Sequence, residues 1–344
     1  MRSIRTARVL TAAALLLGIA GVSAANAHAT TSADTTSTVT LPLFGAPLTV
    51  DVTTGPGGAL TSVAINPSDG FTAVVDRPNK VVFTNEAGTA KVAVGNHHGS
   101  QTVAARAGSL ADISGQGGWS GDVFGTGTAT TVSFTIGATA DGGPDITGVT
   151  SSDATAVIGA TEYRTHDEHD GESSKSASAK VTFNQPGLTR TLTIKVRVST
   201  EEDGTVRASS SVTLGRLRGA ALPAEQVIGD HTWTGALCNG DPISIAYAVD
   251  ADGKVTLGQI TPVPTRTYGK GHRTFIAFSN KERVMIEVKV DGTQMTVDVT
   301  TRLHCDAAAP EVNTPVSTTA PHHDHEHDGH DGHHDGRRHG GSKG

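Results

Sequence analysis

Two stretches of the chain alternate apolar and polar residues with a period of two. Thr191-Leu192-Thr193-Ile194-Lys195-Val196-Arg197-Val198 puts Leu192, Ile194, Val196 and Val198 on one side, and Arg283 to Val290 does the same with Val284, Ile286, Val288 and Val290. Successive strand side chains point to opposite faces, whereas a helix repeats every ~3.6 residues, so these runs predict half-buried β-strands. Turn chemistry separates such runs at Pro56-Gly57-Gly58, Ala87-Gly88, Pro186-Gly187, Asp203-Gly204, Asp252-Gly253 and Asp291-Gly292. The Asp-Gly pairs supply the positive φ angles that tight hairpins demand. The expected fold is all-β, made of two or three small antiparallel meander or sandwich-like modules.

A faint internal repeat refines this picture. Gly118-Trp119-Ser120-Gly121-Asp122-Val123 leads into a strand at Thr131 to Ile136, as Thr232-Trp233-Thr234-Gly235-Ala236-Leu237 leads into Ile243 to Val249. Each copy then reaches a long hairpin, Thr191 to Leu214 in one and Arg283 to Leu303 in the other. The N-terminal stretch, with hairpins at Pro47 to Ile65 and Thr89 to Arg106, follows the same plan without its tryptophan. Modules are therefore expected at 41–110, 116–216 and 229–305. The competing organisation is one continuous β domain whose internal likeness is compositional. Gly215 to Gly229 breaks the alternation, and Leu222 to Val227 is a candidate short helix between modules. Trp119 and Trp233 invite a carbohydrate-stacking reading, but equivalent places in a repeat favour core-filling roles.

The flanks differ from the body. Arg2, Arg5 and Arg8, an apolar run from Val9 to Val22 and small residues ending Ala25-Asn26-Ala27 follow the order of a secretory signal, residues 1–27, cleaved after Ala27. The run is shorter than the ~20 residues a membrane helix needs. No Arg-Arg pair precedes it, which favours the general secretory route, so any metal would be loaded outside. Residues 28–40 read as a flexible leader, 306–320, with Pro310 and Pro315, as a linker, and 321–344 as a disordered tail. No later stretch is apolar enough to span a membrane, and the residue directly after Ala27 is histidine, not the cysteine that would take a lipid. The expected location is extracellular, with loose attachment to the cell wall as a further option.

Charge narrows the partners. Loss of three arginines with the signal takes the formal charge from -7 to -10. An acidic chain argues against nucleic acid and anionic membranes, which need a basic face. Aromatics make up only 4% of the chain, which favours thinly packed sheet modules over one large aromatic core. Cys238 and Cys305 are the two cysteines, and in an exported chain they read first as one disulfide closing the third module. Closing that loop of roughly 67 residues would contribute on the order of 4 kcal/mol through chain entropy. The lesser alternative is a cysteine metal or nucleophile site, which lacks a second cysteine at short spacing.

The densest chemistry lies at the C-terminus. His322, His323, Asp324, His325, Glu326, His327, Asp328, His330, Asp331, His333, His334, Asp335 and His339 put eight of the sixteen histidines into residues 321–344. Neutral imidazole ligates zinc, nickel and copper(II), adjacent carboxylates ligate or neutralise, and the glycines of His-Asp-Gly let backbone wrap an ion. With four donors per ion the tail can hold roughly two or three ions. Ordering a flexible tail costs about 1–2 kcal/mol per residue fixed, so buffer-like affinity is expected. Calcium prefers oxygen ligands and copper(I) soft sulfur, which leaves zinc or nickel as the expected cofactor. In composition the tail resembles His-rich segments of bacterial zinc- and nickel-handling proteins. That resemblance implies metal handling for about 24 residues and nothing for the body.

A second cluster, His166-Asp167-Glu168-His169-Asp170, repeats this chemistry within Glu162 to Glu172, expected as an exposed loop. The linker would let the tail reach it for joint coordination. His97-His98 reads as a hairpin turn, and His231, His272 and His304 as surface or satisfied structural residues. His-Glu-x-x-His, Gly-x-Ser-x-Gly, Cys-x-x-Cys and a phosphate-cradling glycine loop before a helix are all absent, so no enzymatic activity is expected. The sequence implies an exported divalent-metal-binding protein that sequesters, buffers or delivers zinc or nickel, with an envelope metal transporter as a possible partner. The alternative is a non-catalytic envelope-binding module for cell-wall polymer, with the tail as a pH-dependent tether.

Overall fold

A computed structural model describes residues 34–55, 58–97, 99–167, 173–303 and 309–316. Within them the chain runs three times through one plan, three strands of one sheet followed by strands of a second sheet. The first pass is β1 (Thr35–Leu43), β2 (Ala46–Thr54) and β3 (Leu60–Asn66), then β4 (Phe71–Arg77), β5 (Lys80–Asn85), β6 (Lys91–His97) and β7 (Ser100–Ala107). The second is β8 (Gly115–Asp122), β9 (Ala129–Ala138) and β10 (Pro144–Ser151), then β11 (Val157–Ile158), β12 (Glu162–Asp167), β13 (Ser173–Gln185), β14 (Leu188–Thr200) and β15 (Val206–Leu214). A connector carries β16 (Arg218–Gly219), β17 (Ala221–Pro223) and one helical turn, α1 (Ala224–Val227). The third pass is β18 (Gly229–Ala236), β19 (Pro242–Val249) and β20 (Val255–Thr261), then β21 (Arg266–Lys270), β22 (Arg273–Ala277), β23 (Glu282–Asp291) and β24 (Gln294–Leu303), and β25 (Glu311–Val312) follows.

The first two passes fuse. One sheet has the order β10-β9-β8-β1-β2-β3-β25 and the other β11-β13-β14-β15-β7-β6-β5-β4, with β12 also on β13. First strands meet at β1–β8 and last strands at β7–β15, both antiparallel, so the two repeats face each other about a pseudo-twofold axis. At the first seam Val39 pairs with Trp119, and the flanking segments match: Val39 to Gly45 ends Leu-Phe-Gly as Trp119 to Gly125 ends Val-Phe-Gly. One core runs from Val39 to Leu214 and includes Trp119, Phe134 and Phe183. The expected division between 41–110 and 116–216 is thus a boundary of repeats, while the core is common to both. Ser37 on β1 donates to Gln101 on β7 at 2.7 Å, a buried polar tie between the sheets beside the seam.

The third repeat has its own core, which includes Trp233, Tyr247, Ile276, Ile286 and Val297. Its sheets are β18-β19-β20 and β17-β24-β23-β22-β21. The alternation read from sequence holds in β14 and β23, where Leu192, Ile194, Val196, Val284, Ile286 and Val288 are buried. The Asp-Gly turns at Gly204, Gly253 and Gly292 all have positive φ. Trp119 and Trp233 are both buried, so neither is a surface platform.

Three boundaries differ from expectation. Thr35 to Thr40, read as leader because it carries no hydrophobic period, is strand: it pairs throughout with Thr49 to Thr54 of β2, and Ser37 to Thr40 pair with β8 as well. The acidic/His segment is half strand: β12 pairs with Ser173 to Ser178. Part of the expected linker is docked, since Glu311 and Val312 lie parallel to Ser62 and Val63 of β3. Asn313 brackets the Ile65 backbone, donating to its carbonyl at 2.8 Å and accepting from its N–H at 3.0 Å. The Ala73 N–H of β4 then donates to the Pro315 carbonyl at 2.9 Å. Residues 309–316 therefore strap one lateral opening of the sandwich, between β3 and β4. The opposite opening is bridged by the Tyr163 hydroxyl donating to Asp145 Oδ1 at 2.5 Å and the Thr161 hydroxyl donating to the Ile146 carbonyl at 2.8 Å.

Candidate functional site

The tail ligands His322 to His339 lie outside the described residues, as do His98, Glu168, His169, Asp170, His304 and Cys305. His166 is described and exposed on β12 opposite Ser174, and the Asp167 backbone pairs with Ser173. By the strand period His166 shares its face with Glu162 and Arg164. Among the described residues no group of three or more His, Cys, Asp or Glu is placed to hold a metal ion. His97 is exposed in the β6–β7 hairpin. The His231 ring nitrogen lies 2.5 Å from the Val227 carbonyl, and its ring stacks on Tyr247 with centroids 5.2 Å apart. His272 Nδ1 lies 3.1 Å from the Gly253 carbonyl. Both histidines are engaged structurally.

Cys238 follows β18, its N–H donating to Glu282 Oε1 at 2.9 Å, and no cysteine among the described residues is free. Glu282 in turn pairs with Leu303, two residues before Cys305.

The outer face of the large sheet holds a feature that sequence reading missed. Register lines up Arg164, Ser176, Arg197, Ser209, Arg106 and Lys91 on six adjacent strands. Directly opposed residues share a face, so this is a row of four cations and two hydroxyls spanning roughly 24 Å at ~4.8 Å per strand. Arg164 has an ion-pair partner in Glu162 at 3.4 Å, whereas Lys91, Arg106 and Arg197 have none among the described residues. Beside the row a depression of about 470 Å3 is lined by three arginines, Arg106, Arg197 and Arg207, and equally by Glu201, Glu202 and Asp203. Arg207 is paired with Glu201 at 2.8 Å. A chain of net negative charge thus presents a locally basic strip. Its members lie between positions 91 and 209, so no sequence window contains them.

One cation is enclosed. Arg190 donates to the carbonyls of Gly215 at 2.7 Å, Val123 at 2.8 Å and Gly99 at 3.4 Å, at the end of the seam between the fused repeats. Burial pushes its guanidinium down to about 10, with Asp122 acting in the opposite sense. Its donors face backbone, which makes it a clamp. Tyr247 is pushed up to about 12 by burial alone.

Among the described residues no helix is long and apolar enough to cross a membrane. No protein-family description, no curated protein and no solved structure matches this chain.

Proposed function

We propose that the protein is exported and binds zinc or nickel outside the membrane, through residues 321–344 and the segment 166–170, to sequester, buffer or deliver the metal. The observation that carries this reading is the concentration of eight histidines with interleaved carboxylates in residues 321–344. The docked strap supports a division of labour. It fixes where the tail begins, at Val316 beside Ala73 on β4. His166 on β12, where the 166–170 segment starts, lies at the other side of that sheet, roughly 34 Å away across seven strand spacings. Six residues from Val316 to His322 reach about 20 Å, while fourteen to His330 reach about 48 Å, so only the distal histidines can share an ion with that segment. A Cys238–Cys305 disulfide closing the third repeat belongs to the same proposal, and the link through Glu282 to Leu303 supports it.

Calorimetry on residues 28–344 and on a chain ending at Ala320 tests the metal reading. The longer chain should take up two or three extra Zn(II) or Ni(II) ions, about four donors to each, and equal weak binding by both chains would sink it.

The basic strip favours a second reading, in which the body binds an acidic cell-wall polymer and the tail is a pH-dependent tether. Residues 321–344 carry five acidic and three basic side chains, hence -2, and protonating eight histidines moves this to +6. That change occurs below about pH 6, so the tether strengthens with acid. Cosedimentation with isolated walls should be chelator-insensitive, enhanced by acid and weakened several-fold by Arg106→Glu with Arg197→Glu. Attachment that chelator abolishes and these substitutions spare would dismiss it.

A further inference from the structure

Edge strands expose unpaired backbone groups, and folds blunt them by shortness, charge, proline, bulges or a cover. Most sheet edges in this chain carry such a device. β3 is covered by β25, and the β4 edge is bridged by Val316. β24 is met by β17 over Gln294 to Thr296. The β9–β10 and β19–β20 pairings each contain a bulge. β11 has two residues, β12 carries Glu162 and Arg164, and β21 carries Arg266 and Lys270. β18 is the exception. Its eight residues, Gly-Asp-His-Thr-Trp-Thr-Gly-Ala, carry one carboxylate, Asp230, close to the N-terminal end, but no proline, lysine or arginine and no charge over Thr232 to Ala236, and its pairing with β19 is regular throughout. Among the described residues no strand lies on its other side.

The same molecule shows what covers such an edge. β1, β8 and β18 are the first strands of the three repeats, and β1 and β8 cover each other, antiparallel, from Ser37–Gly121 to Thr40–Gly118. Val39 and Trp119 occupy equivalent positions, each opposite an apolar residue of its own second strand, Val50 and Val132, as Trp233 is opposite Ile245. β8 and β18 also share Trp-(Ser/Thr)-Gly. At Gly121 a Cβ would lie 2.9 Å from the Trp119 ring and 3.0 Å from Ser37 Cβ across the seam, so glycine there admits the neighbouring strand. Gly235 keeps glycine at the matching position. Thr38 and Ser120, flanking the filled seam, are half-buried, whereas Thr232 and Thr234 are exposed.

We propose that the third repeat pairs with a second copy of this chain through β18, antiparallel about a twofold axis at Trp233. The seam repeats the β1–β8 register, with Trp233 opposite its counterpart and Thr232 opposite Thr234 of the other copy. The two β18-β19-β20 sheets become one six-stranded sheet. Two odd repeats, one per chain, then reproduce the first-strand seam of the fused pair, while each last strand stays met by its own β17, and an isologous contact of this kind closes at the dimer.

Sedimentation of residues 28–344 in chelator, which removes metal-bridged association, should give a mass twice that of the chain. Thr232→Lys with Thr234→Lys sets lysines opposite each other on both sides of the axis and should give monomers with unchanged circular dichroism. Thr232→Lys with Thr234→Glu places opposite charges across the same seam and should restore the dimer. A monomeric parent, a dimer that tolerates the double lysine, or a Lys/Glu variant that stays monomeric would each overturn the proposal.

Discussion

The fused pair of repeats and the solitary third repeat solve the same problem with different means. In the pair, each repeat covers the other's first and last strands, so both sheets are continuous and one core serves some 180 residues, from Val39 to Leu214 being the bounds of the cluster. In the third repeat the last strand is met by the connector strand β17, and the first strand, paired with β19 on one side, has no neighbour on the other among the described residues. The lesson is that the strand plan sets the core of each repeat, while edge coverage sets how far cores merge. Sheets extend wherever an edge of matching twist and register is offered.

The comparison can be pressed hardest at the tryptophans. Trp233→Ala should destabilise the smaller third core by about 3–5 kcal/mol, the usual cost of emptying a large buried site. Two-probe thermal unfolding should then show the third repeat melting first, and a single concerted transition would contradict separate cores. Next in size is Arg190→Met, which leaves the Gly215, Val123 and Gly99 carbonyls without their donor. Loss of charge-assisted bonds at an enclosed site should cost on the order of 3 kcal/mol, read in urea as a lower midpoint for the fused pair alone. Asn313→Ala removes both bonds to Ile65 and should cost about 1–2 kcal/mol, with faster amide exchange at β3 as its signature.

The smallest effect concerns Tyr163. Its hydrogen bond to Asp145 raises the phenol above its ordinary value, chiefly because the neutral hydroxyl is the donor. A raised folded-state value means that the contribution is fully present below the unfolded value near 10 and fades as pH rises through the folded one. Ultraviolet titration should show two tyrosines ionising late, and Tyr163→Phe should remove one of them and leave the buried Tyr247 component. Loss of an ordinary component near 10 instead would show that the β10–β12 bridge does not form.

How much of this was legible in the sequence depends on the range of the information. Alternation at Leu192 to Val198 and Val284 to Val290, and the Asp-Gly turns, are local signals, and they marked strands and hairpins correctly. The shared Trp-x-Gly anchors also indicated the repeat. Thr35 to Thr40 escaped because threonine-rich sequence carries no hydrophobic period, although its hairpin partner β2 begins only a few residues later. Asn313 escaped because a short polar segment between prolines carries no period of its own. The basic strip escaped for the same reason at the level of side chains, since net charge sums over the chain and register sorts charges onto faces.

The sequence alone determined the all-β class, the hairpins, the burial of both tryptophans and the gathering of imidazoles at one end, because each follows from residues within a few positions of one another. Only the tertiary structure decided which repeats share a core, where the strap docks and which cations stand in line. Those outcomes depend on register between strands tens to hundreds of residues apart, where backbone pairing and packing choose the neighbour.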